Sequence, residues 1–333
     1  MDINNLLKDR DIDLKFVENL QELFNEMKDG DIITNDHDFT KTLLLKAGFK
    51  NFYLVRDASL QEVEDIKTKI KGKKVIGFGG GKAIDIAKKV SFDLDLTLFS
   101  CPTAPSHDGL VSKNCSLYNK GKKETIPTKY PKKIIIPLHL WKTAGILKKA
   151  GICDLFSNFT ALQDLSLAET KGEKFIDFYK KLSFEAVKPA NLKDDKILAL
   201  RLIISGIAME KSSCYCSGSE HEVEKLLESK MKGKYLHGQL VGTGLLISAK
   251  IYSIFADNFT DLRFDPKNLF EKIKQKMKEN NVYNFALMPL LDKNFNPEFL
   301  KELSKVRPER YTLWNFIDSE KIDWKKLFNG LVA

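Results

Sequence analysis

Residues 75–112 read VIGFGGGKAIDIAKKVSFDLDLTLFSCPTAPSHDGLVS. A short apolar run, Val75, Ile76 and Phe78, ends at three consecutive glycines, Gly79, Gly80 and Gly81. Residues 82–90 then take helical spacing, with Ile84, Ala87 and Lys88 on one side. A second strand pattern follows, and then a Pro-Thr-Ala-Pro-Ser-His-Asp-Gly loop. Glycines between a strand and a helix let the backbone approach a ligand closely, and the first N–H groups of the helix favour a phosphate there. The run is not a G-x-G-x-x-G fingerprint, and a tight turn alone would account for the glycines.

Outward from this stretch, strand and helix alternate. Residues 31–34, 52–55, 73–78, 96–101 and 132–136 read as strands, and residues 12–28 and 39–47 as amphipathic helices. Ser59 with Glu62 marks a further helix start. Residues 115–127 read as a small hairpin turning at 119–121. This alternation predicts a parallel, doubly wound α/β sheet over residues 1–140. Beyond it the strand pattern nearly vanishes. Helical patterns at 154–170, 173–187, 194–211, 220–230, 238–256, 267–279 and 297–304 predict an all-α second domain over residues 141–333. Ligands of open α/β sheets bind beyond the carboxyl ends of the strands, so the glycine turn is the expected cofactor end.

Composition narrows the function classes. The chain has 333 residues, 43% hydrophobic and 30% charged, with a net charge of +9, which is ordinary for a globular protein. The charge is dispersed: Lys71, Lys73 and Lys74 precede a strand, and Lys120, Lys122 and Lys123 lie in a turn. Neither cluster is interleaved with aromatics, so no nucleic-acid partner is expected. The five cysteines (Cys101, Cys115, Cys153, Cys214, Cys216) form no C-x-x-C pair. With no apolar signal core at the N-terminus, they suggest a reduced, cytoplasmic protein. Lys250 interrupts the longest apolar run, so no membrane insertion is expected.

In the helical half, Asp154, His221 and His237 stand out. Singly, each has a plainer reading: Asp154 as an N-cap opening a helix, and each histidine as a satisfied polar residue. Ser219 and Glu222 have capping-box spacing, which places His221 in a first helical turn. His237 precedes Gly238, Gly242 and Gly244, small residues that allow tight helix packing. Together, one carboxylate and two imidazoles leave an open position on a divalent metal, as catalytic sites do.

The blocks GGGKAIDIAK, PTAPSHDGLVS, AGICDLFSN, SGSEH, HGQLVGTG and RPERYTL occur in this order, from about residue 75 to about residue 312. They resemble the sn-glycerol-1-phosphate dehydrogenases, within the metal-dependent polyol dehydrogenase and dehydroquinate synthase group. The first 70 residues match only loosely. The resemblance implies a metal held by Asp154, His221 and His237, with Zn²⁺ the usual ion and Fe²⁺ or Ni²⁺ open. It implies NAD(H) or NADP(H), with the pyrophosphate at Gly79, Gly80, Gly81 and Lys82 and Asp85 on the helix behind. Thr103, Ser106 and Ser112 would line the cofactor, and Asp108 and Asp154 would meet substrate. The implied reaction is hydride transfer between the nicotinamide and dihydroxyacetone phosphate, giving sn-glycerol 1-phosphate, with a homo-oligomer expected.

Two departures bear on the substrate. Lys225 stands where the family repeats a histidine four residues after the first. It is read either as a substrate contact or as an exposed lysine balancing Glu222 and Glu224. Cys214-Tyr215-Cys216 replaces the usual Pro-Ala before SGSEH. Another ketose or polyol phosphate, or a non-catalytic homologue, are the alternatives, and phospholipid and surface-polymer synthesis both stay open. NADH and NADPH are undecided among Asn35, Asp36 and His37.

Overall fold

The computed structural model describes residues 2–231 and 233–332. Eight strands are present among them: β1 Asp13–Val17, β2 Asp31–Asn35, β3 Tyr53–Val55, β4 Lys74–Gly79, β5 Thr97–Pro102, β6 Asn114–Asn119, β7 Lys122–Pro127 and β8 Lys133–Pro137. Six form one parallel sheet in the order β1-β8-β5-β4-β2-β3, and β6 pairs antiparallel with β7 as the expected hairpin.

The central strands are apolar almost throughout because both faces are covered, as parallel sheets require. Along β4, Val75 enters a cluster with Val55, Val63, Ile66, Ile86, Val90 and Leu98. Its neighbours Ile76 and Phe78 enter the opposite cluster, with Leu23, Met27, Ile32, Leu44 and Ile135. Between them, Gly77 leaves the helix Gly81–Asp93 room to lie close: a Cβ there would be 3.0 Å from Ala87 Cβ and 3.1 Å from Ile84 Cα.

The helix expected over residues 12–28 is in fact a strand followed by a shorter helix, Leu20–Met27. Asn19 sets the break: its side chain accepts the Glu22 N–H (2.9 Å), while Glu22 Oε2 accepts the Glu18 N–H (3.1 Å). That reciprocal cap starts the helix late and frees Asp13–Val17 to pair with β8 as an edge strand. The Ser59 cap forms as expected, accepting the Glu62 N–H at 3.2 Å.

By packing, the chain divides into two compact units, Met1–Lys148 with Asp194–Glu210, and Lys149–Lys193 with Lys211–Ala333. A single cut after residue 140 does not describe this. The helix Asp195–Ala208 returns to the first unit because it packs on the turn Asp108–Leu110. There Ser205 Oγ donates to Asp108 Oδ2 (2.6 Å), and a Cβ on Gly206 would sit 2.4 Å from the Asp108 carbonyl oxygen.

In the second unit the helix predicted over 154–170 is two, Ile146–Phe156 and Asn158–Glu169. Asp154 therefore ends a helix rather than opening one, which removes its N-cap reading. The helix His237–Ile254 is buried along nearly its whole length. Three of its glycines mark close approaches. A Cβ on Gly238 would lie 2.1 Å from Ala150 O, on Gly242 2.7 Å from Cys153 Sγ, and on Gly244 2.1 Å from Glu220 O. These contacts draw the helices Ile146–Phe156 and Ser219–Met231 onto this one, and each of the three carries one candidate ligand.

Candidate metal centre

The close approaches bring Asp154, His221 and His237 together, with one donor atom from each lying within 4.8 Å of the others. Asp154 Oδ1 is 3.4 Å from His237 Nε2 and 3.7 Å from His221 Nε2. Tetrahedral coordination with bonds near 2.0–2.1 Å would separate neighbouring donors by about 3.3 Å. The observed spacing therefore suits a shared cation, and the 3.7 Å separation is too long for a direct hydrogen bond. Asp154 is buried, whereas the His237 side chain is 40% exposed, which leaves the group one open side.

The far nitrogen of each ring is also held. His221 Nδ1 is 2.7 Å from Glu220 Oε1, and His237 Nδ1 is 2.9 Å from Glu224 Oε1. Desolvation opposes a charge on His237, but Glu224 and then Asp154 outweigh it and raise its pKa to about 10. A proton and a metal ion therefore compete for Nε2.

The expected Ser219–Glu222 capping box does not form. Ser219 is the first residue of its helix, and its N–H donates instead to Asp164 Oδ2 (2.6 Å). Gly218 N–H donates to Glu220 Oε1 (2.6 Å). Glu222 accepts from Thr312 Oγ1 (2.9 Å) and lies 3.4 Å from Arg307 Nε. Burial, partly offset by Arg307, lifts the Glu222 pKa to about 8; burial and Glu220 lift that of Asp164 to about 7. The block RPERYTL is thus a clamp: Arg307 and Arg310 donate to the carbonyls of Gly218 and Ser217 (2.8 and 3.0 Å), and Leu313 N–H to Asp164 Oδ1 (2.9 Å).

Lys225 lies one helical turn beyond His221 and is half-buried. Of the two glutamates that an exposed lysine would balance, Glu222 is buried and bonded to Thr312, and Glu224 is buried and bonded to His237. The Cys214-Tyr215-Cys216 segment is anchored inward. Tyr215 packs between Phe175 and Tyr179 and accepts the Ile176 N–H, and Cys216 O accepts from Ser157 Oγ (2.7 Å).

In the first unit the glycine turn closes the end of β4. Gly79 has φ 148°, and the Gly80 N–H donates to Asn35 Oδ1 (2.7 Å). Thr103 N–H donates to Gly79 O (3.0 Å), joining the ends of β4 and β5. His107 covers this turn: a Cβ on Gly81 would meet its Nε2 at 3.0 Å, and one on Gly109 its Nδ1 at 2.7 Å. Lys82 Nζ donates to the Arg56 carbonyl, at 3.4 Å. Ser106 N–H donates to Ala104 O (3.0 Å), and Ser112 Oγ accepts the Asn114 N–H (3.1 Å).

Asp85 is drawn away from the turn. Its oxygens accept from Ser116 N–H (3.1 Å) and Lys88 Nζ (3.3 Å), which ties the hairpin to the helix. Fully buried Lys88 also donates to the carbonyls of Gly109 (2.6 Å) and Asn114 (2.9 Å), bracketing the loop that follows Asp108. Of the three residues after β2, Asn35 serves the glycine turn and His37 caps a helix by accepting the Phe39 N–H (3.2 Å). Asp36 lies between Lys41 (3.0 Å) and Arg56 (3.5 Å).

Sequence reasoning missed Glu220, Glu224, Asp164, Ser205 and the arginine clamp. For Glu220 and Glu224 the sequence carried no signal, because their burial on the helix Ser219–Met231 comes from packing.

A parallel α/β sheet followed by helices that bring together an aspartate and two histidines is similar in fold to the iron-containing alcohol dehydrogenases. The model of that family, iron-containing alcohol dehydrogenase, matches residues 38–144. Among solved structures, a probable glycerol dehydrogenase from Sinorhizobium meliloti shares the fold, with a TM-score of 0.67 at 17% identity over 97% of this chain and 96% of that one. The glycerol-1-phosphate dehydrogenase [NAD(P)+] of Thermococcus sibiricus is 32% identical over 78% of this chain and 75% of its own. That of Methanothrix thermoacetophila is 33% identical over 81% and 77%. The chain belongs to the glycerol-1-phosphate dehydrogenase family and is an NAD(P)-dependent enzyme. No helix among the described residues is long and apolar enough to cross a membrane.

Proposed function

We propose that the protein reduces dihydroxyacetone phosphate with NADH or NADPH to give sn-glycerol 1-phosphate, using a divalent metal held by Asp154, His221 and His237. The observation that carries this reading is the convergence of both Nε2 atoms on Asp154 Oδ1, with each Nδ1 held by a buried glutamate. When bound, the cation supplies Lewis acidity toward a carbonyl oxygen, and the nicotinamide supplies the hydride.

The chain's own residues do the rest. Asp154 and the two imidazoles fix the cation, and the glycine turn presents backbone N–H groups at a helix start, where a pyrophosphate is favoured. Gly79, Gly80, Gly81 and Lys82 therefore make up the pyrophosphate cradle in this reading. Thr103, Ser106 and Ser112 continue it towards the nicotinamide. Asp108, oriented by the Ser205 hydroxyl, is assigned a proton relay to the developing alcohol. Asp85 is given a structural task instead, since one of its oxygens holds the hairpin through the Ser116 N–H and the other holds Lys88 of its own helix. Asp36 is the residue assigned to the adenosine ribose. Two neighbouring cations leave its carboxylate partly neutralised, which suits acceptance of either NADH or NADPH. Lys225 is assigned to the substrate phosphate, and Zn²⁺ is the assigned ion, a donor set of one carboxylate and two imidazoles also accommodating Fe²⁺ or Ni²⁺.

A second reading keeps the chemistry and changes the substrate to a larger ketose phosphate, favoured by Lys225 standing where the family pattern has histidine. The test is nicotinamide oxidation with dihydroxyacetone phosphate beside a five-carbon ketose phosphate, each with NADH and NADPH. Preference for the three-carbon substrate supports the first reading, and preference for the larger one supports the second. K225A should raise KM for the phosphorylated substrate by at least about tenfold with less effect on kcat, since a lost ion contact is worth about 1.5–3 kcal/mol.

A further inference from the structure

We infer that Glu220 and Glu224 are positioning residues of the metal centre, each fixing one imidazole so that its Nε2 lone pair faces the cation. This rests on the metal reading above and extends it from the ligands to the groups that aim them. An ionised carboxylate can only accept hydrogen bonds, so His221 Nδ1, 2.7 Å from Glu220, and His237 Nδ1, 2.9 Å from Glu224, must carry the proton. The tautomer is thereby set, and Nε2 of each ring is left as the donor to a metal. A hydrogen-bonded carboxylate also makes the imidazole a stronger donor.

The two glutamates reach their histidines by different routes. Glu220 precedes His221 on the same helix and is itself fixed by Thr160 Oγ1 (2.6 Å) and the Gly218 N–H (2.6 Å). Glu224, one turn further on, reaches across to His237 at the start of the next helix. That reach depends on Gly244, where a Cβ would come within 2.1 Å of the Glu220 carbonyl and force the two helices apart. Both carboxylates are essentially buried, at 0% and 1% exposure. Burying an ionised group is costly without partners, and helix packing alone would favour apolar side chains at both positions. Holding the imidazoles gives these charges a purpose that packing does not.

The test is made at Glu224, with the acceptor-retaining Gln variant as its conservative control. Metal-free wild-type protein and its E224A and E224Q variants would be titrated with Zn²⁺ against a competing chelator. Each would also be loaded with Co²⁺ for its visible absorption spectrum, and each metal-free protein would be melted thermally. The expected result is stoichiometric binding by wild type. E224A should bind about 10- to 100-fold more weakly with a changed Co²⁺ band, and E224Q, which keeps an acceptor, should lie between them. Wild-type affinity and spectrum in E224A would overturn the positioning role while leaving the metal reading intact, even if E224A melted at a lower temperature. No metal binding by wild type would overturn the metal reading and this inference with it.

Discussion

Asp154 Oδ1 stands nearly equidistant from two imidazole nitrogens that do not bond each other, and a buried carboxylate holds the far side of each ring. At this scale the site is a competition between protons and a cation. The raised pKa of His237, about 10, means that metal uptake releases a proton below that pH. Zn²⁺ affinity should therefore rise by about tenfold per pH unit between pH 6 and 8 from this group alone. Chelator competition at fixed ionic strength would check it, and a pH-independent affinity would contradict it. Asp108, held by Ser205 within the first unit, is the residue assigned to the substrate's proton. D108N should lower kcat by about 10²–10⁴-fold while leaving the Kd for NAD(P)H within a few-fold; equal losses in both would count against the relay. The ligand triad was legible in the sequence because His is scarce and carries a recognisable chemistry. Glu220 and Glu224 were not, because a glutamate on a helix reads as solvated until its burial is known.

Helix contacts set the site's dimensions. Gly238, Gly242 and Gly244 let one helix meet two others at distances a side chain would block, and those two carry Asp154 and His221. G244A should destabilise the protein by about 1–3 kcal/mol through overpacking. It should also weaken metal binding, because the new methyl meets the Glu220 carbonyl rather than a pliant side chain. Thermal melting with and without Zn²⁺ would show both effects, whereas a neutral G244A would mean that the helices do not need the close approach at Gly244. Element type was readable where periodicity was strong, as in β2, β4, β5 and β8. It failed at residues 12–28, where Asn19 caps a late helix and the sequence before it becomes an edge strand. It failed again at Asp154, because nothing in AGICDLFSN announces a helix already under way from Ile146.

For the whole molecule, two buried carboxylates tie stability to pH. The folded-state pKa values of Asp164, about 7, and Glu222, about 8, lie above those of unfolded carboxyls. The folded protein thus binds extra protons between about pH 4 and 8. Their contribution is full below the unfolded pKa and is lost as pH rises through the folded values. Metal-free protein should melt at a lower temperature at pH 8.5 than at pH 6, and E222Q, which mimics the protonated acid, should flatten that trend. The sheet-then-helices order was plain from the sequence, but the return of Asp195–Ala208 to the first unit was not. Its cause is one turn, where Ser205 and Gly206 meet Asp108, and no periodicity encodes a contact across 97 residues. The most direct test of the central claim is oxidation of NADPH or NADH by dihydroxyacetone phosphate, followed in chelator-stripped protein before and after Zn²⁺ is restored. Turnover should be negligible in stripped protein, return with Zn²⁺, and fail to return in H237A. Undiminished turnover in stripped protein shown to be free of bound metal would contradict that claim.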